Sequence, residues 1–169
     1  MRARDLALAA LVAAAYAALV AALPMVSFLL WQVRVADALL MLSTVLGWPA
    51  VVGVALGCFL GNVLAAPWGS FALAAFDAAL GSAANFAASY LAYKLAYGKG
   101  LRRKLLAAAV EVATVSLIVG SYLRYLMLWA FGVDIPLLLS IAGVVPGSVV
   151  SIGVLGTALA LSVERGLRR

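Results

Sequence analysis

Apolar runs long enough to cross a bilayer follow one another along the whole chain, separated only by short turns. A membrane helix needs about 20 mostly apolar residues to cross a hydrocarbon core of roughly 30 Å. A chain of 169 residues has room for about six such spans with short connections. No polar stretch is long enough for a soluble domain, so residues 1–169 read as a single integral membrane domain. The composition agrees, with 67% hydrophobic residues, 11% charged residues and a mean hydropathy of +1.18. A soluble domain carries roughly 25% charged residues, because its surface must face water. Too few charges are present here to coat a globule, and lipid is the solvent that such a surface fits.

Turn residues place the spans. The first runs from about Asp5 to Leu23 and stops at Pro24, and a connection from Met25 to Val33 carries Trp31 and Gln32. The second, Val35 to Leu46, is short for a full crossing. Gly47-Trp48-Pro49 turns the chain into the third span, Ala50 to Ala65, and Pro67-Trp68-Gly69 into the fourth, about Ser70 to Leu95. After a basic loop the fifth spans about Leu105 to Phe131. Gly132 to Pro136 then leads to the sixth, about Leu137 to Val163. The expected fold is an all-α polytopic membrane protein of six transmembrane helices. The basic, Ala-rich start resembles a secretory signal peptide, but its apolar run is long for a signal core and more spans follow at once.

Charge gives the orientation. With six spans and the N-terminus inside, Arg2, Arg4, Lys94, Lys99, Arg102, Arg103, Lys104, Arg165, Arg168 and Arg169 all fall in or beside inside segments. Arg34 and Arg124 do not. That bias is the positive-inside pattern, and it predicts a cell-membrane protein with both termini cytoplasmic. The same distribution argues against nucleic acid as the reason for a net charge of +6, since the basic residues sit at span ends without polar, aromatic-rich surface around them.

Several chemistries are missing from the sequence. With no His and the single Cys58, the usual zinc and haem ligand sets are absent, and no metal or cofactor is expected. There is no His to act as a general base and no phosphate-binding loop frame around Gly98-Lys99. Catalytic residues are expected to be none, and any ATP hydrolysis must belong to another chain.

Small residues mark helix contacts. Gly53, Gly57 and Gly61 recur every four residues, as do Gly143, Gly147 and Ser151. Such rows let helix backbones approach closely in lipid. The first span carries two ladders, Ala10-Ala14-Ala18-Ala22 and Ala9-Ala13-Ala17-Ala21, which serve either internal packing or a smooth face for another protein.

Ionisable groups at membrane depth cost at least about 2.5–3.5 kcal/mol each on insertion scales, so they face a cavity or a partner. Arg34, Asp37, Asp77 and Arg124 are at such depths, with Glu111 nearer the inside. Arg34 and Asp37 are three apart and share a helix face, so they can pair with each other or face a ligand. Asp77, Gly81 and Asn85 step down one face of the fourth span with Ser82 and Ser89 beside it, and Cys58 and Asn62 share a face of the third. The two Asn residues serve either a ligand or interhelical hydrogen bonding. Carboxylates, carboxamides and a stacking Trp31 suit a flat, hydrogen-bonding heterocycle. Glu111 is expected to balance Lys104 or Arg103, and Arg124 to pair with Asp134 or snorkel outward.

Three stretches in order carry a family likeness: Gln32-Val33-Arg34-Val35-Ala36-Asp37-Ala38, then Gly57-Cys58-Phe59-Leu60-Gly61-Asn62, then Asp77 with Gly81-Ser82. With the Ala-rich first span, the chain resembles the QueT family, substrate-binding S components of energy-coupling factor (ECF) transporters. The likeness extends over Ala9 to about Tyr93. It implies an S-component-like bundle that captures a 7-deazaguanine queuosine precursor, a planar heterocyclic base. It also implies docking on a T component that carries two ATPase subunits. The Ala10, Ala14 and Ala18 ladder would be the docking face and Trp31-Gln32 the lid. Arg34, Asp37, Cys58, Asn62 and Asp77 would inherit pocket roles, with Ser82 and Asn85 beside them. Asp37 stands where the family pattern usually has Glu. Two further acidic positions of that pattern fall where this chain reads Val119-Gly120-Ser121-Tyr122 and Pro146-Gly147-Ser148. Two other readings remain: a self-sufficient secondary carrier, although no inverted repeat is evident, and a structural membrane protein whose buried charges are only ion pairs.

Overall fold

The computed structural model of the protein describes residues 2–28 and 33–168. Five helices are long and apolar enough to cross a bilayer: α1 (Ala3–Ala22), α3 (Trp48–Ala65), α4 (Phe71–Ala96), α5 (Leu101–Phe131) and α6 (Leu137–Leu167). The short second run is also helical and forms α2 (Val35–Leu46). The expected six-helix, all-α bundle is therefore what forms, and no strand occurs among the described residues. Local chemistry sets the ends. Pro24 follows α1, the Ser70 hydroxyl accepts the Leu73 N–H (3.2 Å) to cap α4, and Gly132 closes α5 in the left-handed conformation (φ 70°).

Α2 solves its own length problem. Val35–Leu42 is a 3₁₀ helix and only Ser43–Leu46 is α-helical. The 3₁₀ rise of ~2.0 Å per residue stretches these two pieces to about 22 Å, against about 18 Å for a plain α-helix. It is also the central helix. Ala36 to Thr44 are all buried, as expected for a helix that is apolar on every side.

The glycine rows are contact surfaces. A Cβ on Gly53 would lie 2.7 Å from the Ala9 carbonyl oxygen, and one on Gly57 2.6 Å from that of Ala13. Α1 thus lies directly on the α3 backbone through its Ala9, Val12, Ala13, Tyr16 and Val20 face. The other ladder, Ala10, Ala14, Ala18 and Ala22, is left on the exposed side of α1. Α6 is not uniform either. Pro146 removes one N–H from its ladder, and Val149–Gly156 is π-helical. This wide segment packs on the narrow α2, where Gly156 stands against Ala38 and Met41.

Two details differ from the sequence reading. The basic stretch before the fifth span is helical, because Arg and Lys are good helix formers, and α5 begins at Leu101. Lys104 is consequently a buried helix residue, and it pairs with Glu164 of α6 rather than with Glu111. Glu111 is itself fully buried, and neither of its carboxylate oxygens has a hydrogen-bond partner in the structure. Arg124 does meet Asp134, at 3.2 Å. Arg4, Leu46, Trp48, Tyr97 and Leu167 line one crevice, so the start of α1, the α2–α3 turn, the end of α4 and the end of α6 gather at one end of the bundle. That end carries most of the basic residues.

Candidate functional site

Away from the basic end, buried polar side chains from five helices meet among apolar walls. Their hydrogen bonds fall into two groups, each built on one carboxylate.

The first is centred on Asp37 of α2. Tyr16 Oη, from α1, donates to Asp37 Oδ1. Asn85 Nδ2, from α4, donates to Tyr16 Oη at 2.8 Å and to Asp37 Oδ1 at 3.4 Å. Three helices are thereby tied at one point. Among the described residues the hydrogen bonds at this carboxylate end on Oδ1, and Asp37 lines a small cavity with Arg34, Asn85, Val115, Val119, Val144 and Ser148. The cavity holds about 10 Å³, room for about one water-sized group.

The second is centred on Asp77 of α4, and there both oxygens are occupied. Tyr122 Oη, from α5, donates to Oδ1 at 2.8 Å, and Trp68 Nε1 donates to Oδ2 at 2.8 Å. Asn62 Nδ2 donates to the Asp77 backbone carbonyl at 3.4 Å, while Asn62 Oδ1 has no partner. Trp68 packs edge-on against Phe28 (ring centroids 6.1 Å apart). The Asp77 carboxylate therefore anchors the α3–α4 turn and the half of α5 away from the basic end.

Arg34 joins the two groups without pairing with either carboxylate. Its Nε and Nη2 donate to the Ser27 carbonyl at 3.3 and 3.2 Å, and Nη1 lies 3.8 Å from Cys58 Sγ. The guanidinium also sits 5.0 Å from the centre of the Phe28 ring, within cation–π range. The Arg34–Asp37 pair suggested by their spacing does not form, because Arg34 caps the 3₁₀ helix from outside and turns back to Ser27. Gly81 keeps this centre open. A Cβ there would lie 3.0 Å from Asn62 Nδ2, 3.1 Å from Tyr122 Oη and 3.4 Å from Cys58 Sγ.

Of the residues singled out in the sequence, Arg34, Asp37, Cys58, Asn62, Asp77 and Asn85 are thus buried in one polar centre. Ser82 stands apart, half-buried and donating to the Ala79 carbonyl of its own helix (3.0 Å). Trp31 and Gln32 lie outside the described residues. Ala10, Ala14 and Ala18 lie on the exposed face of α1, while the buried Tyr16 of the same helix reaches the polar centre. Tyr16, Trp68 and Tyr122 were not singled out, yet they supply the hydroxyl and indole donors that hold both carboxylates. The clue available in the sequence was a polar tip at membrane depth on otherwise apolar helices. Among the described residues, no three of His, Cys, Asp or Glu come together as a metal site.

Chemically, the centre offers a carboxylate acceptor at Asp37, a cationic donor at Arg34 and carboxamides at Asn62 and Asn85. That is a set able to hydrogen-bond a polar molecule. Comparison with known proteins agrees with this chemistry. Neither the curated protein sequences nor the solved structures yield a match. The family described as QueT transporter matches residues 6–165, nearly the whole chain. The protein is therefore a multi-pass membrane protein belonging to the QueT transporter family.

Proposed function

We propose that this chain is the substrate-binding S component of an ECF-type importer, and that it captures a 7-deazaguanine queuosine precursor at the Asp37 centre. The observation that carries the reading is the half-engaged Asp37 carboxylate. Among the described residues Oδ1 takes the hydrogen bonds of Tyr16 and Asn85, none ends on Oδ2, and Asp37 lines the cavity. A guanine-like edge presents ring N–H and amino donors beside a carbonyl acceptor. The carboxylate suits the donors, and Arg34 and the Asn side chains suit the acceptor. Asp77 then acts indirectly, by holding Trp68 and Tyr122. Typical ligand pockets enclose about 300–1,000 Å³, so a base requires the walls around the present 10 Å³ cavity to part.

In this reading the chain is non-catalytic and both termini are cytoplasmic, as the gathering of basic residues at one end of the bundle favours. Energy comes from a T component with two ATPase subunits. The docking face is the exposed ladder of Ala10, Ala14 and Ala18, flat enough for close approach of a second helix.

The test is uptake of the labelled base into proteoliposomes. The chain alone under an ion gradient is expected to give none, and the chain with T component, ATPase subunits and ATP is expected to accumulate the base. Accumulation by the chain alone would instead make it a secondary carrier.

A further inference from the structure

Α5 and α6 touch at one end and part at the other. Near the outer end the Ser140 hydroxyl donates to the Gly120 carbonyl at 2.7 Å, and a Cβ on Gly120 would lie 2.5 Å from Ile141 Cα. Toward the basic end the contact thins along the π-helical segment of α6. Between the helices runs a groove of about 510 Å³, walled by Ala108, Ala109 and Ala113 on one side and Val145, Val149 and Gly153 on the other. Its α5 edge extends from Leu105 to Ser116, about 16 Å along the helix. That is close to half of a hydrocarbon core of roughly 30 Å.

We infer that this groove is a binding site for one anionic phospholipid, with an acyl chain between α5 and α6 and the headgroup at Arg102. The depth argues for a lipid over a partner helix. A transmembrane helix needs a track across the whole bilayer, whereas this groove is one leaflet deep and shut by the Gly120–Ile141 contact. Charge selects the headgroup. Arg102 is exposed, lies one turn before Leu105 on the same face of α5, and makes no salt bridge among the described residues. The carboxylate nearest in role, Glu164, is taken by Lys104 and Arg168. Basic residues at the mouth of an interhelical pocket are the usual arrangement for holding an anionic headgroup.

The experiment is native mass spectrometry of the full chain, reconstituted in equal phosphatidylglycerol and phosphatidylcholine and then released in mild detergent. The wild type is expected to retain one phosphatidylglycerol in preference to phosphatidylcholine. Arg102→Gln should weaken that retention about fivefold, the usual effect of one basic residue near an anionic surface. Gly153→Leu should abolish it by filling the groove. The new side chain has room, since a Cβ at Gly153 meets only Val149 Cγ1, at 3.9 Å. Ala109→Leu fills the opposite wall and serves if Gly153→Leu does not fold. Equal retention of the two lipids by the wild type would overturn the proposal, as would unchanged retention in the groove-filled variants. Loss of a copurifying subunit in those variants, with lipid retention intact, would make the groove a protein contact and also overturn it.

Discussion

Asparagine substitutions at the two carboxylates should have opposite signatures. Asp37 and Asp77 are both buried, but among the described residues Asp37 accepts hydrogen bonds only at Oδ1, whereas Asp77 accepts one at each oxygen. In Asp37→Asn the amide oxygen can still accept from Tyr16 and Asn85, so the three-helix tie survives. What is lost is a charged acceptor for ligand N–H groups. A hydrogen bond to a charged group contributes about 1.5–3 kcal/mol, so the Kd for a 7-deazaguanine base should rise about 10- to 150-fold. In Asp77→Asn the amide serves both partners in one orientation only, with its oxygen accepting from Trp68 Nε1 and its NH₂ donating to Tyr122 Oη, as Asn85 does to Tyr16. Two hydrogen bonds to a carboxylate are then replaced by weaker amide ones, at a cost of about 1–3 kcal/mol. For a chain of this size that lowers Tm by about 2–12 °C. The assays are isothermal titration with the base and thermal unfolding in detergent, applied to both variants. Wild-type affinity in Asp37→Asn would refute the ligand-binding role given to that carboxylate. Wild-type Tm in Asp77→Asn would refute the structural role given to that carboxylate.

Other substitutions probe other parts of the structure. Tyr122→Phe should also lower Tm, and combining it with Asp77→Asn should cost less than their sum, because both act on the same Tyr122–Asp77 hydrogen bond. Gly57→Ala should destabilise by about 1–3 kcal/mol, since its Cβ falls 2.6 Å from the backbone of α1. Gly166→Ala, inside α6 with nothing within 4 Å of the added Cβ, should not lower the unfolding temperature. Glu111→Gln should unfold at no lower temperature than the wild type, because neither carboxylate oxygen has a partner to lose; a clear fall in Tm would show that the charge is compensated. Ala14→Trp, on the exposed face of α1, should bind the base normally yet lose copurification with a T component.

Much of this arrangement was legible in the residues themselves. Hydropathy and turn chemistry give the number and order of the helices, because in lipid each span must satisfy its own backbone. Polar residues at membrane depth give most of the centre, since lipid excludes them unless they meet a cavity or each other. Three things were not legible. The 3₁₀ winding of α2 occurs where it packs on the π segment of α6, which is far away in sequence. Lys104 was read into a loop because its partner, Glu164, is brought near only by the bundle. Tyr16 and Tyr122 were passed over because a tyrosine suits an apolar core as well as a polar one. Their partners Asp37 and Asp77 lie 21 and 45 residues away, so spacing within a helix could not reveal them.

Equilibrium binding of a labelled 7-deazaguanine precursor to the purified wild-type chain, with no other subunit and no ATP, tests the central claim most directly. Saturable one-to-one binding, competed by related deazapurines and weakened in Asp37→Asn, is the predicted result. A folded, monodisperse preparation that binds none of these bases would contradict it.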